Sequence, residues 1–469
     1  MKALLTAVLV TLTIAVISGR DVQLKGNAPG AAGKFIEVYN QPDPLTGKNI
    51  LIEKVRVGED EKFIISIDCD SICWIRLRHG IYEFLLLIEA KDRQYELELP
   101  AYRAIPKEEK LNPFFQYKII HIRLNGEANL NNVIRHIDSL YYDYTNMVTE
   151  SIYLGEKLPD QDSLLQSFSD VEKSLEGEYA LQYFKYRYSV LKIISGKHRI
   201  PGSEDIDLIN KSFFPLMPAY TDLVKQVFNG YLGRLANNKK TSPIRGMINS
   251  AESYRDIVKL IMEQKSIRDT SLLEFVLLDN LYSEYYKGGF RKESIEEMFS
   301  WISHNATHEY NRWLAAFIII EVQKLKPGNC PPGFTLSDSY GNVISLDSLR
   351  GKFSILAFGT TELTETRHEL DILNNWVNDY KDKLQVVIII LDENFQLALE
   401  QAGYRKYDFI FLDGSASDKL LDDYNIRYLP SFYFLDRETR LIFSPALMPS
   451  ENLRSLVIPE LGESFVDDR

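Results

Sequence analysis

A chain of 469 residues exceeds what one hydrophobic core usually serves, so about two to four domains are expected. Its hydrophobic fraction of 45% and charged fraction of 26% are those of an ordinary soluble protein. The formal net charge of −12 speaks against nucleic-acid binding, which needs a clustered basic face.

The amino-terminal stretch MKALLTAVLVTLTIAVISG reads as a secretory signal. Lys2 supplies the short positive region, the segment from Ala3 to Ile17 is apolar, and Ser18 and Gly19 are small enough for cleavage. A membrane anchor is the competing reading, but this stretch is shorter than the roughly 20 residues a span needs. No cysteine follows it, so a lipid anchor has no attachment residue. With residues 1–19 assigned as a signal peptide, the mature protein is expected to be exported, periplasmic or otherwise, with no membrane span after cleavage.

From about Asp21 to Leu124 the hydrophobic period is close to two. FIEVYN, NILIEKVRV, KFIISID, CWIRLRHG, YEFLLLIEA, QYELELP and YKIIHIRLNG are β-branched and aromatic runs broken by Gly, Pro, Asp and Asn. That pattern predicts a small antiparallel β-sandwich over residues 20–125. Two of the three cysteines lie here, in CDSIC from Cys69 to Cys73. If Asp70, Ser71 and Ile72 form a hairpin loop, the two sulfurs face each other and an oxidising compartment favours a structural disulfide. Two buried free thiols are the alternative.

From about Ala128 to Lys326 the period becomes helical. Val133, Ile137, Leu140, Tyr141, Tyr144, Val148 and Ile152 recur at three and four residues, and similar stripes follow between Gly, Pro and Asn breaks. An all-α domain of about seven to nine helices over residues 126–327 is the economical reading. Tyr183, Tyr186 and Tyr188, with Tyr282, Tyr285 and Tyr286, could line a ligand groove, but helical packing accounts for them without a ligand and is the preferred reading. His304 and His308 stand four apart, as zinc-binding pairs do, but Asn305 follows His304 where a metalloprotease has its glutamate, and no third ligand is placed. A solvated or helix-end pair is preferred, with no metal and no cofactor expected.

The last segment, residues 328–469, alternates strands and helices. A strand from Phe353 to Phe358 breaks at Gly359, and a helix follows with Leu363, Leu370 and Leu373 on one side. A second buried strand runs from Leu384 to Asp392; RYLPSFYFLD places Pro430 at the opening of another, and a strand-to-helix run from Arg440 to Leu461 closes the set. Glu362, Glu365 and Glu369 gather near the helix amino terminus, where the helix dipole favours carboxylates. Cys330, between Gly, Asn and two prolines, has no base or second cysteine near it and reads as incidental, or as a site of intermolecular pairing.

This order of elements, preceded by PPGFTLSDSYGNVISLDSLRGK, resembles the exported TlpA/ResA-like thioredoxin family over roughly the last third of the chain. The resemblance implies a thioredoxin-like α/β domain, so the whole is a multidomain α+β protein. The β region resembles the domain that often precedes such a module in exported Bacteroidetes proteins. In the family a Trp precedes Cys-x-x-Cys; here Glu362 stands at the Trp position, and Leu363 and Thr366 stand at the two cysteine positions. Glu369 matches a family glutamate that takes part in thiol proton transfer, and Pro430, after Leu429, matches a cis proline whose backbone neighbours dock peptide. A Leu and a Thr cannot carry thiolate exchange. The resemblance thus implies the scaffold without its chemistry: a non-catalytic module of the cell envelope that binds a protein or peptide partner. The alternative is a thiol-disulfide oxidoreductase or peroxidase-like enzyme that uses Cys330 or an interdomain site.

Overall fold

The computed structural model describes residues 20–40, 43–91, 94–106, 109, 112, 115–120, 122, 124, 129–156, 161–194, 202–250, 254–415 and 418–462, and the signal assigned to residues 1–19 lies outside them. The chain forms two compact units. The first comprises the described chain up to Ile105 and from Gln116 to Ile318; the second comprises Pro106–Phe115 and the chain from Ile319 on. Among the described residues no helix is long and apolar enough to cross a membrane.

The first unit opens with β1 (Arg20–Asn27), β2 (Phe35–Asn40), β3 (Ile50–Arg56), β4 (Lys62–Cys69), β5 (Ile72–His79), β6 (Tyr82–Glu89), β7 (Gln94–Glu98) and the short β8 (Lys118–Ile119). They make a three-stranded sheet, β4-β1-β7, and a five-stranded sheet, β3-β2-β5-β6-β8. In β4 every second residue is buried, as a strand with one covered face requires. Leu24, Ile65 and Leu97 from the smaller sheet share one core with Val38, Leu77 and Phe84 from the larger.

Three details depart from the sequence reading. The first strand, RDVQLKGN, holds only Val22 and Leu24 as fully buried apolar anchors among charged and polar neighbours, so its period is easily missed. The pairing is not wholly antiparallel, because β1 runs parallel to β7 and β6 parallel to β8. CDSIC is a corner between sheets and not a hairpin: β4 pairs with β1, whereas β5 pairs with β2 and β6. Cys69 and Cys73 are free thiols, the first buried and the second half-buried. Burial, and then a hydrogen bond with Cys69, pushes the Cys73 thiol up.

Among the described residues eleven helices follow: α1 (Leu130–Leu154), α2 (Gln161–Glu172), α3 (Glu178–Ile194), α4 (Ser203–Asn210), α5 (Pro218–Phe228), α6 (Tyr231–Asn237), α7 (Pro243–Asn249), α8 (Tyr254–Met262), α9 (Thr270–Lys287), α10 (Lys292–Asn305) and α11 (Glu309–Gln323). That exceeds the expected number. The apolar run from Tyr220 to Leu235, for one, is cut at Gly230, whose φ of 62° belongs to the left-handed region where glycine carries no Cβ penalty. α9 is buried on nearly all sides, from Leu272 and Phe275 to Leu281, and is the central helix of the set. Sheet and helices are joined by Asn131, whose Oδ1 accepts from Leu87 N at 2.9 Å, and by Trp74, whose Nε1 donates to the Tyr179 hydroxyl at 3.1 Å.

The second unit holds β9 (Thr335–Ser337), β10 (Val343–Ser345), β11 (Phe353–Gly359), α12 (Thr364–Val377), β12 (Leu384–Ile390), α13 (Phe395–Ala402), β13 (Ile410–Asp413), α14 (Asp418–Asp423), β14 (Ser431–Leu435), β15 (Leu441–Ala446) and α15 (Leu453–Glu460). Its main sheet has the order β13-β12-β11-β14-β15, parallel through the first three strands and antiparallel thereafter. The strands are buried on both faces, which is why they read as continuous apolar runs. Ile355, Val386, Ile388 and Phe434 enter one core with Leu370 and Leu373 of α12. Leu356, Val387, Ile389 and Tyr433 enter the core on the opposite face.

Candidate functional site

The candidate site lies where β11 passes into α12. β11 ends at Gly359, and a Cβ there would come within 2.7 Å of Cγ2 of Thr366, so glycine lets the first turn of α12 close onto the strand. Thr361 is fixed from just beyond the end of β12. Thr361 donates its backbone N–H to Asp392 Oδ2 at 2.9 Å and its hydroxyl to Oδ1 at 2.6 Å. A carboxylate accepting from both groups of one residue clamps the turn.

Leu363, expected on the apolar side of the helix, stands instead at the N-cap of α12 with an extended backbone and no side-chain cap bond. A leucine offers no acceptor to the orphan amides of a helix start. Its side chain is 36% exposed. Thr366, three residues on, is 1% exposed, and its Oγ1 is buried without a hydrogen-bond partner. The start of α12 therefore presents an exposed hydrocarbon at Leu363 and a sequestered hydroxyl at Thr366.

The three glutamates do not act together. Glu365 sits exposed in the first turn of α12, and Glu362 precedes the helix. Glu369 is 5% exposed and is bound by Ser450 twice, from the backbone N–H at 2.8 Å and from the hydroxyl at 2.7 Å. Its carboxylate pins the segment before α15 to α12, which leaves it occupied structurally.

The Leu429–Pro430 peptide bond is cis, at the start of β14. Tyr428, just before it, is 51% exposed. Cys330 is exposed in the connector ahead of β9. Sequence reasoning did not find the Asp392 clamp, although the signal was present: an aspartate closing an otherwise apolar run, LQVVIIILD, at the carboxyl end of a parallel strand.

In the first unit the singled-out residues divide. His304 is in α10, where its Nδ1 lies 2.7 Å from the Ser300 carbonyl oxygen. His308 falls outside that helix and accepts from Tyr310 N at 3.2 Å, so the two histidines do not share a helix face. Among the described residues there is no cluster of three or more His, Cys, Asp or Glu able to hold a metal. Tyr183 and Tyr186 are buried, Tyr285 nearly so, and Tyr286 is exposed. Tyr183 is part of a polar network absent from the sequence reading: its hydroxyl donates to Asp138 Oδ2 at 2.8 Å, and Arg187 Nε donates to Asp138 Oδ1 at 2.8 Å. Burial raises the Asp138 carboxyl above its usual range, with Arg187 opposing.

Comparison with known proteins finds a likeness over part of the chain. The chain is 26% identical over 121 residues to the thiol-disulfide oxidoreductase ResA of Bacillus cereus, which is 26% of this chain and 69% of that protein. A thiol:disulfide interchange protein from a Bacteroides species is 22% identical over 29% of this chain and 90% of its own, with a TM-score of 0.26. The thioredoxin domain of a thiol-disulfide oxidoreductase from Bacteroides vulgatus is 20% identical over 28% of this chain and 96% of its own, with a TM-score of 0.24. No family model matches the chain.

Proposed function

We propose, from the premise that the carboxy-terminal domain is a TlpA/ResA-like thioredoxin-fold domain, that this chain is an exported envelope protein whose thioredoxin-like domain binds extended polypeptide and performs no dithiol exchange. An amino-terminal β-sandwich over residues 20–125 and a helical domain over residues 126–327 accompany it, and no cofactor takes part. One observation carries the reading. Leu363 and Thr366 occupy the thiol positions at the start of α12, and neither side chain can become the thiolate that attacks a disulfide. The docking ledge is the backbone at Leu429 and Pro430, with the exposed side chains of Tyr428 and Leu363 supplying apolar contact. Glu369, held by Ser450, is not available as a proton carrier. The partner is a protein or peptide of the envelope.

Two measurements on the full chain test this. In an insulin-reduction assay the protein and its Cys330→Ser variant should both stay at the background rate; turnover that disappears in the variant would overturn the reading and install Cys330 as a nucleophile. Fluorescence anisotropy with reduced, alkylated insulin B chain should show binding that Leu363→Arg weakens by about tenfold. Binding equal in the variant, or none by the parent protein at about 1 mM, would remove the docking ledge.

A further inference from the structure

The first unit contains a cavity of about 740 Å³ walled by α1, α3, α5 and α9, within the size range of small-molecule sites. Its floor is charged. Arg187, 1% exposed, bonds Asp138 at 2.8 Å and Asp222 Oδ2 at 2.5 Å, and its guanidinium lies 4.4 Å from the Tyr141 ring centre. The Asp222 side chain remains 47% exposed on the cavity wall, and among the described residues only its Oδ2 is bonded, by Arg187.

Asp279 of α9, also on the cavity lining, makes no hydrogen bond or ion pair among the described residues. Burial holds its carboxyl above the usual carboxylate range, with Lys225 and Lys287 opposing. Lys225, on the same wall, donates its ammonium to the Pro44 carbonyl instead. Of the two carboxylates that line the cavity, Asp222 is paired with Arg187 through one oxygen, and Asp279 has Lys225 and Lys287 in its surroundings but no ion pair to either among the described residues. Val148, Ile152 and Ile194 line an apolar wall, and Tyr142, 46% exposed, offers a ring face.

We propose that this cavity binds a free linear aliphatic amine: the ammonium is held by Asp279 and Oδ1 of Asp222, and the methylenes lie along Val148, Ile152 and Ile194. A cation that reaches Asp279 directly gives it the partner that Lys225 and Lys287 do not, since a buried carboxylate is tolerated when paired and costly when alone. Neutral polyols would satisfy the hydrogen bonds and leave Asp279 without that partner.

The test is calorimetric titration of the full chain with cadaverine and spermidine, with 1,5-pentanediol and Nα-acetyl-lysine amide as comparison probes. Both amines should bind and the diol should not, and binding near pH 5 should release protons as the ammonium draws the Asp279 carboxyl down. Asp279→Asn should weaken spermidine by about tenfold or more while the melting temperature holds or rises, because the variant removes a buried charge. No binding of either amine up to about 10 mM, undiminished binding by the folded Asp279→Asn variant, or equal binding of pentanediol would overturn the proposal. Tighter binding of the lysine amide than of cadaverine would overturn it too, by moving the ammonium from a free amine to a lysyl side chain.

Discussion

The turn at the start of α12 and the cavity between α1, α3, α5 and α9 treat charge in opposite ways. At the turn, Asp392 is taken by Thr361 and Glu369 by Ser450, and both carboxylates act as fasteners. In the cavity, Asp222 gives one oxygen to Arg187 and keeps the other, while Asp279 makes no hydrogen bond or ion pair among the described residues. Residue type alone does not separate these cases. A carboxylate whose hydrogen bonds are filled by its own chain holds structure, and one left short of partners in a partly desolvated place is available to a ligand.

The largest expected effect breaks the cavity side of this comparison. Arg187→Met strips the buried cation from Asp138, which is 5% exposed, and leaves that carboxylate uncompensated. The loss should be about 3 to 5 kcal/mol, read from the urea transition of the first unit, while the second unit's transition stays in place. A loss well under about 1 kcal/mol would mean that the network does not organise the cavity floor.

Acid should separate the two units next. His79 is fully buried and neither ring nitrogen has a partner; burial lowers its pKa from 6.5 to about 4. A histidine depressed in the fold takes up protons on unfolding. The stability it supports is therefore complete above pH 6.5, falls as the pH drops from there toward 4, and changes no further below. At pH 5 the loss should be about 2 kcal/mol, confined to the first unit. His79→Leu should flatten that pH dependence; a slope unchanged in the variant would assign it to other groups.

Glu369→Gln probes the fastening of the second unit. The amide keeps the volume but loses the charge that strengthens two hydrogen bonds from Ser450. Destabilisation of about 1 to 2 kcal/mol by denaturant titration is expected, with insulin reduction still at background. A change in thiol exchange on this substitution would restore Glu369 to proton transfer.

The difference between the regions also decides what the sequence could reveal. β11 and β12 are legible because strands buried on both faces are nearly continuous in apolar residues, with Ser354 and Gln385 bonded to each other as the exceptions. β13 passes unremarked because IFLD is four residues long, and β1 because two apolar residues make a weak period. The expectation for Leu363 and Thr366 rests on local spacing, since both lie in one contiguous stretch, and spacing did not show that Leu363 is an N-cap. The Glu369–Ser450 bond spans 81 residues, and no local pattern announces it. Arg187 hides for another reason: in EYALQYFKYRYSVLKII a basic residue between tyrosines looks like a solvated face, and only the packing of α1 and α5 around it shows that it is buried.

The smallest expected effect is the sharpest test of the turn, because its sign carries the answer. Thr366→Val replaces a buried hydroxyl with a methyl group of nearly the same shape, beside a glycine that already accommodates Cγ2. Helix propensity barely distinguishes the two residues, and no hydrogen bond is lost if Oγ1 has no partner. Relief of the desolvated hydroxyl should then raise the stability of the second unit by about 0.5 to 1 kcal/mol. A comparable destabilisation would mean that the hydroxyl is bonded in solution and helps to hold the first turn of α12 against β11.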